Sequence, residues 1–259
     1  MRYTGVNVHI PHKLMLDWTG WLSEGAIFPP TTAAAIEVTA PAWAGDGLRL
    51  DTFRIVGDLA QILFATKPDV SPTFLAARAK GRLQHALRGA GSPVAFSRKV
   101  SVRSVGENTR ADVEGYLARQ VRRGEFADPR FRTRMTRYTV VRDAVDLATP
   151  TAVEHGRHWY NLHVVLVTAD RFRFGADDIL AGVRDAALVA AETGGHVLKS
   201  VAVMPDHVHL ALRGNVLRSP REIGVEFQNA LADVVGCRAW QDEFYAGTFS
   251  EYDVTAVRP

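Results

Sequence analysis

Residues 201–220 read VAVMPDHVHLALRGNVLRSP, an apolar stretch in which two histidines flank a single valine. Side chains alternate between the two faces of a β-strand, so His207 and His209 point the same way while Val208 points into a core. Two imidazoles on one rigid face can form half of a metal site. A histidine pair on a strand is also often structural, so its role depends on which other residues lie nearby.

A related pattern occurs earlier in the chain, where residues 53–72 read FRIVGDLAQILFATKPDVSP. Asp58 aligns with Asp206, and Ser71-Pro72 aligns with Ser219-Pro220, without any gap. Each segment predicts a strand, a loop, and a helix that begins with a serine cap and a proline in its first turn. Residues 102–115 then align with residues 246–259 after a short deletion in a loop, where length changes cost little. Identity is low, so a chance match is the alternative to duplication.

This alignment predicts an α+β fold made of two repeats, each a ferredoxin-like or RRM-like antiparallel sheet with helices on one face. The first repeat covers residues 1–120 and the second covers residues 158–259. An arginine-rich connector, residues 121–157, lies between them.

The second repeat has the clearer local signals: a strand over 162–167 and an Ala- and Leu-rich helix over 176–192 that ends at two glycines. The first repeat is weaker at its front. Its first strand is expected within Val6–Trp18, and the stretch 29–47 is too short and irregular to predict a helix.

The composition is that of a globular protein with an anionic partner. The 259 residues carry a net charge of only +3, but the pI is about 9.2 and the arginines are clustered. Cys237 is the only cysteine, which fits a reducing compartment. No apolar run is long enough for a membrane span, and no signal-peptide pattern is found. We therefore expect a cytoplasmic, nucleoid-associated protein without a membrane partner.

The run Met204-Pro205-Asp206-His207-Val208-His209 resembles the motif of the His-hydrophobic-His (HUH) single-strand DNA transposases, of the insertion-sequence and REP-associated tyrosine transposase type. The resemblance implies a second motif on a helix: a nucleophilic tyrosine and, four residues later, a glutamine that completes the metal site. The first repeat contains this motif as Tyr116-Leu-Ala-Arg-Gln120. The spacing puts both side chains on one helical face, behind a capping box formed by Thr109 and Asp112.

Each repeat lacks the half-site that the other contains. In the second repeat the alignment reaches Pro259, the last residue of the sequence, before the tyrosine position. In the first repeat Leu59-Ala60-Gln61 replaces the histidine motif. The related transposases are dimers with shared active sites, so the resemblance implies a tandem-fused pseudo-dimer that is a monomer in solution. One composite site would remain, with Tyr116 as catalytic residue and His207, His209 and Gln120 as metal ligands, and the second site would be inactive.

The resemblance also implies the chemistry. Tyr116 would form a 5′-phosphotyrosine link to single-stranded or hairpin DNA and leave a free 3′-hydroxyl, assisted by Mg²⁺ or Mn²⁺. Asp206 would either orient a metal ligand or cap a turn. Arginines and interleaved aromatic residues near the connector suit phosphates and unstacked bases, although such a run can equally be a solvated face. The predicted DNA-binding residues are Arg119, Arg122, Arg123, Arg130, Arg132, Arg134 and Arg137.

Two other functions stay open at this point. One is a catalytically inactive, domesticated transposase that acts as a DNA-binding protein. The other is a nicking enzyme for replication or chromosome-end processing, since one tyrosine is sufficient to cut and rejoin one strand.

Overall fold

The computed structural model describes residues 2–120 and 129–251, which form two six-stranded sheets with helices packed against them. The elements of the N-terminal half are β1 (His12–Lys13), β2 (Met15–Leu22), α1 (Thr32–Gly45), β3 (Leu48–Val56), β4 (Leu59–Thr66), α2 (Pro72–Gly89), β5 (Phe96–Val105) and α3 (Arg110–Gln120). Those that follow are α4 (Pro129–Thr136), β6 (Thr139–Val141), β7 (Thr151–Val153), β8 (Gly156–Trp159), β9 (Asn161–Thr168), a 3₁₀ turn (Ala169–Arg171), α5 (Asp177–Thr193), β10 (Val197–Val203), β11 (His207–Arg213), α6 (Pro220–Val235) and β12 (Trp240–Thr248).

Both sheets contain the same central arrangement of four antiparallel strands. The first sheet has the order β3-β4-β2-β5-β8-β7, and the second has β6-β10-β11-β9-β12-β1. The α+β class is therefore confirmed. The expectation of purely antiparallel sheets is wrong, because β5 pairs with β8 and β12 pairs with β1 in parallel. The short strands β1 and β8 have no local signal, since their parallel partners, β12 and β5, lie far away in the sequence.

The two parallel pairs exchange strands between the halves. β1 immediately precedes β2 of the first sheet but pairs with β12 of the second, with Lys13 opposite Gly247. β8 immediately precedes β9 of the second sheet but pairs with β5 of the first, with Trp159 opposite Arg103. The segment predicted as a connector is thus built into both sheets where it is described, because β6 extends the second sheet while β7 and β8 extend the first.

Two buried hydroxyls join the sheets where β5 and β12 end. The hydroxyl of Ser104 accepts a hydrogen bond from the backbone N–H of Asn161 (3.0 Å) and donates to the carbonyl of Phe249 (2.7 Å). The hydroxyl of Thr248, in the second half, makes the equivalent pair of hydrogen bonds to the first half. It accepts from the backbone N–H of Met15 (2.8 Å) and donates to the carbonyl of Val105. These bonds satisfy backbone groups that are removed from water.

Alternating apolar residues hold the helices against the sheets. Val208 and Leu210 of β11 lie in the same buried core as Phe227 of α6. The predicted serine caps are confirmed: the Ser71 side chain accepts from the N–H of Phe74, and Ser219 forms a capping box at the start of α6. Capping of this kind stabilises a helix by about 1 kcal/mol.

The front of the N-terminal half differs from the expectation. The stretch 29–47 contains α1, an Ala-rich helix that buries Ile36 and Trp43 even though Pro41 lies inside it. Proline removes one backbone hydrogen bond, and burial of these two large side chains offsets that loss. The first strand, β1, lies inside the predicted window, whereas the first long strand, β2, overlaps only its end.

The prediction of helices on one face is also incomplete. Ala211 of β11 packs with Val113 and Leu117 of α3, whereas its neighbours Leu210 and Leu212 pack in the core that contains α5 and α6. Neighbouring strand residues face opposite ways, so the second sheet has helices on both faces. Within the described ranges, no helix is long and apolar enough to span a membrane.

A substitution at Gly106, which follows β5, tests how tightly the two halves pack where they join. A Cβ atom there would lie 2.0 Å from the backbone carbonyl oxygen of Thr248, which is far inside van der Waals contact. We expect Gly106→Ala to lower the free energy of unfolding by about 2 kcal/mol or more, measured by urea denaturation. Gly81→Ala in α2 is the control, because nothing lies within 4 Å of its added Cβ, and it should be neutral or stabilising.

Asp17 on β2 provides a second test. Its carboxylate accepts a hydrogen bond from Gln61 (2.9 Å), but burial raises the pKa of Asp17 to about 6 from 3.8. The unfolded chain releases this proton at lower pH, so the cost of ionising Asp17 develops between pH 4 and 6 and persists above it. Asp17→Asn should therefore raise stability by up to about 3 kcal/mol at pH 7.5 and by little at pH 4. A stability gain that does not vary with pH would contradict this explanation.

The control for Asp17 is Asp58→Asn, which changes an exposed carboxylate in the turn between β3 and β4. Thermal unfolding of this variant should run parallel to that of the wild type over the same pH range.

Candidate active site

Helix α3 of the N-terminal half packs on the sheet of the other half and positions Tyr116 there. Val113 and Leu117 are buried on this sheet against Ala211 and Phe249, and Tyr116 packs at the edge of the same cluster. The helix begins where the backbone N–H of Arg110 donates to the carbonyl of Ser250 (2.5 Å). The predicted capping box is confirmed: the Thr109 hydroxyl accepts a hydrogen bond from the backbone N–H of Asp112 (3.2 Å), and the Asp112 carboxylate accepts one from the backbone N–H of Thr109 (2.9 Å). The Thr109 hydroxyl also donates to the Asp112 carboxylate.

Tyr116 lies beside His209, one of the two histidines predicted from the sequence. His207 and His209 occupy the same face of β11, with ring centroids 4.9 Å apart and planes nearly perpendicular. The Tyr116 ring lies 5.5 Å from the His209 ring and is oriented edge-on to it. His209 is 3% exposed, and burial lowers its pKa well below 6.5, with the neighbouring histidines adding to the shift. A neutral imidazole can donate its lone pair to a metal ion.

Asp206 anchors the outer histidine. Its carboxylate accepts a hydrogen bond from His207 Nδ1 (2.7 Å) and lies 3.6 Å from the guanidinium of Arg171. Burial acts to raise the pKa of Asp206, but the bond with His207 and the charges of His207 and Arg171 hold it below its usual range. Asp206 thus contacts a predicted ligand directly, as one of the two sequence interpretations requires.

A third histidine was missed by sequence reasoning. His163 Nε2 lies 3.1 Å from His209 Nδ1, and the two rings are stacked at 5.3 Å. His163 also meets Tyr116 and Tyr245 edge-on, at centroid distances of 6.0 and 5.9 Å. Burial lowers the pKa of His163 to about 4. The only sequence signal was a polar residue inside the apolar strand predicted over 162–167, and its strand partners were unknown at that stage.

The donor chemistry of the site fits a divalent metal only in part. Among the described residues, the hydrogen bonds of His207 and His209 are made through Nδ1, which leaves Nε2 of each ring for a metal ion. No group of three or more His, Cys, Asp or Glu residues that could hold a metal was found in the described ranges. The pair therefore needs a ligand of another type. Gln120, the predicted third ligand, is the last residue of α3, and its side chain is not among those that the structure describes.

The corresponding position in the first sheet has different chemistry. Leu59 and Gln61 of β4 lie where β11 has His207 and His209. The Gln61 side chain is held by Asp17 at 2.9 Å and by Arg54 at 3.1 Å. An aliphatic side chain and an engaged amide provide no histidine-like ligand there.

The predicted DNA-binding arginines fall into three groups. Arg119, Arg130 and Arg137 are exposed. Arg134 is engaged within the protein, where it pairs with Asp177 and donates to the carbonyl of Gly175. Arg122 and Arg123 lie outside the residues that the structure describes, and the side chain of Arg132 is not described.

A cleft of about 1170 Å³ lies away from the histidines, between Trp21 and Trp159. Its lining contains one histidine and equal numbers of cationic and carboxylate side chains, so their formal charges balance. The cations are Arg98, Lys99 and Arg157, and the carboxylates are Glu24, Asp58 and Glu154. This balance gives no electrostatic reason to place a polyanion there.

Comparison with known proteins gives one family match. Residues 157–259 match the sequence model of the family described as "Transposase IS200 like". The match is shorter than half of the chain. It includes His163, His207 and His209, and it excludes Tyr116. No curated protein matches the chain.

The solved structures that match this chain by fold include the following two. An unknown protein from Galdieria sulphuraria is 10% identical, with 86% of this chain and 92% of that chain covered and a TM-score of 0.22. The regulatory subunit of aspartate kinase from Thermus thermophilus is 12% identical, with coverages of 90% and 99% and a TM-score of 0.21. Scores this low carry no argument about fold or function.

The packing of α3 can be tested through Leu117. Truncating this buried side chain removes its contacts with Ala211 and Phe249 and should weaken docking of the helix by about 2 kcal/mol or more. Leu117→Ala should therefore speed amide hydrogen exchange in α3 while protection of β11 persists. Arg119→Ala, on an exposed position of the same helix, is the control. Equal exchange in the two variants would show that α3 is held by other contacts.

Proposed function

We propose that this protein cuts and rejoins single-stranded DNA, with Tyr116 as the nucleophile. The observation that carries the proposal is the approach of Tyr116 to His209, at 5.5 Å between ring centroids, across the two halves of the chain. The match of residues 157–259 to the transposase family supports the same reaction class. The tyrosine lies outside that match, so its place beside the histidines is an independent observation.

The chemistry begins with attack of the Tyr116 phenolic oxygen on a backbone phosphorus. A bond forms between this oxygen and phosphorus, and the bond from phosphorus to the 3′-oxygen of the preceding nucleotide breaks. The phenolic proton leaves to solvent, and the departing 3′-oxygen takes up a proton. The products are a 5′-phosphotyrosine link and a free 3′-hydroxyl. Attack by a 3′-hydroxyl reverses the step, so no external energy source is needed.

The side chains around Tyr116 contribute to this step by holding the imidazole rings of His207 and His209 in place. Asp206 holds His207 through Nδ1, and burial keeps His209 neutral. Together with the Gln120 amide, these rings would hold Mg²⁺ or Mn²⁺, which would stabilise negative charge on the phosphate and the leaving oxygen. Two imidazoles and an amide favour Mn²⁺, while Mg²⁺ is the hard ion that phosphates commonly carry.

A fused dimer explains why one site suffices for the whole chain. The reciprocal bonds of Ser104 and Thr248 and the exchanged strands β1 and β8 support a pseudo-twofold relation between the halves. On this interpretation the chain works as a monomer. A single tyrosine allows one cut and one rejoining event, which favours nicking and joining over paired excision and insertion.

The exposed arginines on and after α3 provide the proposed DNA contact. Arg119, Arg130 and Arg137 are exposed to solvent, and Arg134 pairs with Asp177. Arginine side chains in this position neutralise phosphates, so binding should weaken as salt concentration rises.

The direct test is covalent capture. The full chain is incubated with labelled single-stranded oligonucleotides from the flanks of its own gene, with Mn²⁺ or Mg²⁺, and separated under denaturing conditions. We expect a protein–DNA adduct that contains the 3′ fragment. Tyr116→Phe should reduce the adduct at least about 1000-fold, because the nucleophilic oxygen is absent.

Tyr245→Phe is the matched control, since this second tyrosine also lies beside His163 and burial raises its pKa. Its adduct should remain within a few-fold of the wild type. An adduct that persists in Tyr116→Phe and disappears in Tyr245→Phe would reassign the nucleophile. Salt-dependent DNA binding without any adduct would instead favour an inactive DNA-binding protein.

A further inference from the structure

We infer that His163 is a positioning residue that fixes the His209 ring in the one tautomer able to bind a metal ion at this site. The inference rests on the proposed function, because it concerns the same site. It assigns a role to a residue that lies on another strand and outside both sequence motifs.

The position of His163 on β9 determines its reach. His163 is paired with Ala211 of β11 on one side and with Gly247 of β12 on the other. His209 is two residues before Ala211, so it lies diagonally across from His163 on the same face. This places His163 Nε2 3.1 Å from His209 Nδ1, with an angle of 17° between the ring planes.

The direction of this hydrogen bond decides whether His209 can bind a metal. A neutral imidazole has one N–H and one lone pair. If His209 Nδ1 donates to His163 Nε2, the lone pair of His209 is on Nε2 and is available. If His163 donates instead, the proton of His209 is on Nε2, and that nitrogen is blocked. Metal binding therefore requires His163 to accept, with its own proton on Nδ1.

The two histidines of β11 would then be held in the same manner. Each ring would donate from Nδ1 to a fixed acceptor, the Asp206 carboxylate for His207 and the His163 ring for His209. Acceptors of this kind orient metal ligands, and their removal typically lowers metal affinity by about 10–100-fold.

Packing prevents His163 from turning away. Tyr116 and Tyr245 both meet its ring edge-on. Gly247 leaves room for this arrangement, because a Cβ at that position would lie 2.4 Å from the Tyr245 hydroxyl. The contact with Tyr116 is between rings, so His163 has a second contact that a test must separate from the hydrogen bond.

Two substitutions separate the hydrogen bond from the ring contact. His163→Phe keeps a ring beside Tyr116 but has no acceptor, whereas His163→Gln loses the ring but has an amide oxygen that can accept from His209. Mn²⁺ binding is measured on the full chain by electron paramagnetic resonance, with thermal unfolding as the check of folding. We expect His163→Phe to weaken Mn²⁺ binding about 10–100-fold and His163→Gln to stay within about three-fold of the wild type.

Imidazole ¹⁵N NMR of the wild type gives a second readout that does not depend on activity. With diamagnetic Mg²⁺ bound, the proton of His209 should be on Nδ1 and that of His163 on Nδ1 as well. Wild-type Mn²⁺ affinity in folded His163→Phe, or a proton on His209 Nε2, would overturn the inference.

The proposed function fails separately. If the wild type binds Mn²⁺ and His163→Phe does not, but no DNA adduct forms, the role of His163 stands and the cleavage reaction is refuted. If the wild type binds no Mn²⁺, both the metal site and the role of His163 are refuted.

Discussion

The structure depends on the close crossing of two backbones, where Gly106 follows β5 and Thr248 ends β12. No side chain fits between them, and a Cβ on Gly106 would lie 2.0 Å from the Thr248 carbonyl. The buried hydroxyls of Ser104 and Thr248 bind the backbone of the opposite half at the same place. Because the chain leaves β5 at this crossing, α3 packs on the sheet of the other half, and Tyr116 reaches His209 there.

The two halves have the same central strand arrangement but different polar side chains at equivalent positions. In the first sheet a diagonal pair on β2 and β4 consists of Asp17 and Gln61, and in the second the same diagonal on β9 and β11 consists of His163 and His209. Both pairs are hydrogen-bonded and largely removed from water. Burial raises the pKa of the acid and lowers that of the histidines, so each pair is driven towards its neutral form. Only the second pair consists of imidazoles, the type of side chain that can donate a lone pair to a transition metal.

The proposed site depends on both halves of the chain. Tyr116, the proposed nucleophile, and the histidines come from different halves, so they meet only when both sheets are joined. In two separate subunits this would require association, whereas in one chain the local concentration of the second half is set by covalent linkage. The exchanged strands β1 and β8 strengthen that joining through backbone hydrogen bonds.

The sequence alone determined what neighbouring residues control. The alternation around Val208 predicted a strand with both histidines on one face, the Ser-Pro pairs predicted two helix starts, and the four-residue spacing placed Tyr116 and Gln120 on one helix. The sequence did not reveal α1, where burial of Trp43 outweighs Pro41, or β1 and β8, whose parallel partners lie far along the chain. His163 was missed for the same reason. Its importance arises from β9 lying beside β11, and strand pairing over such separations depends on the whole packed core rather than on local pattern.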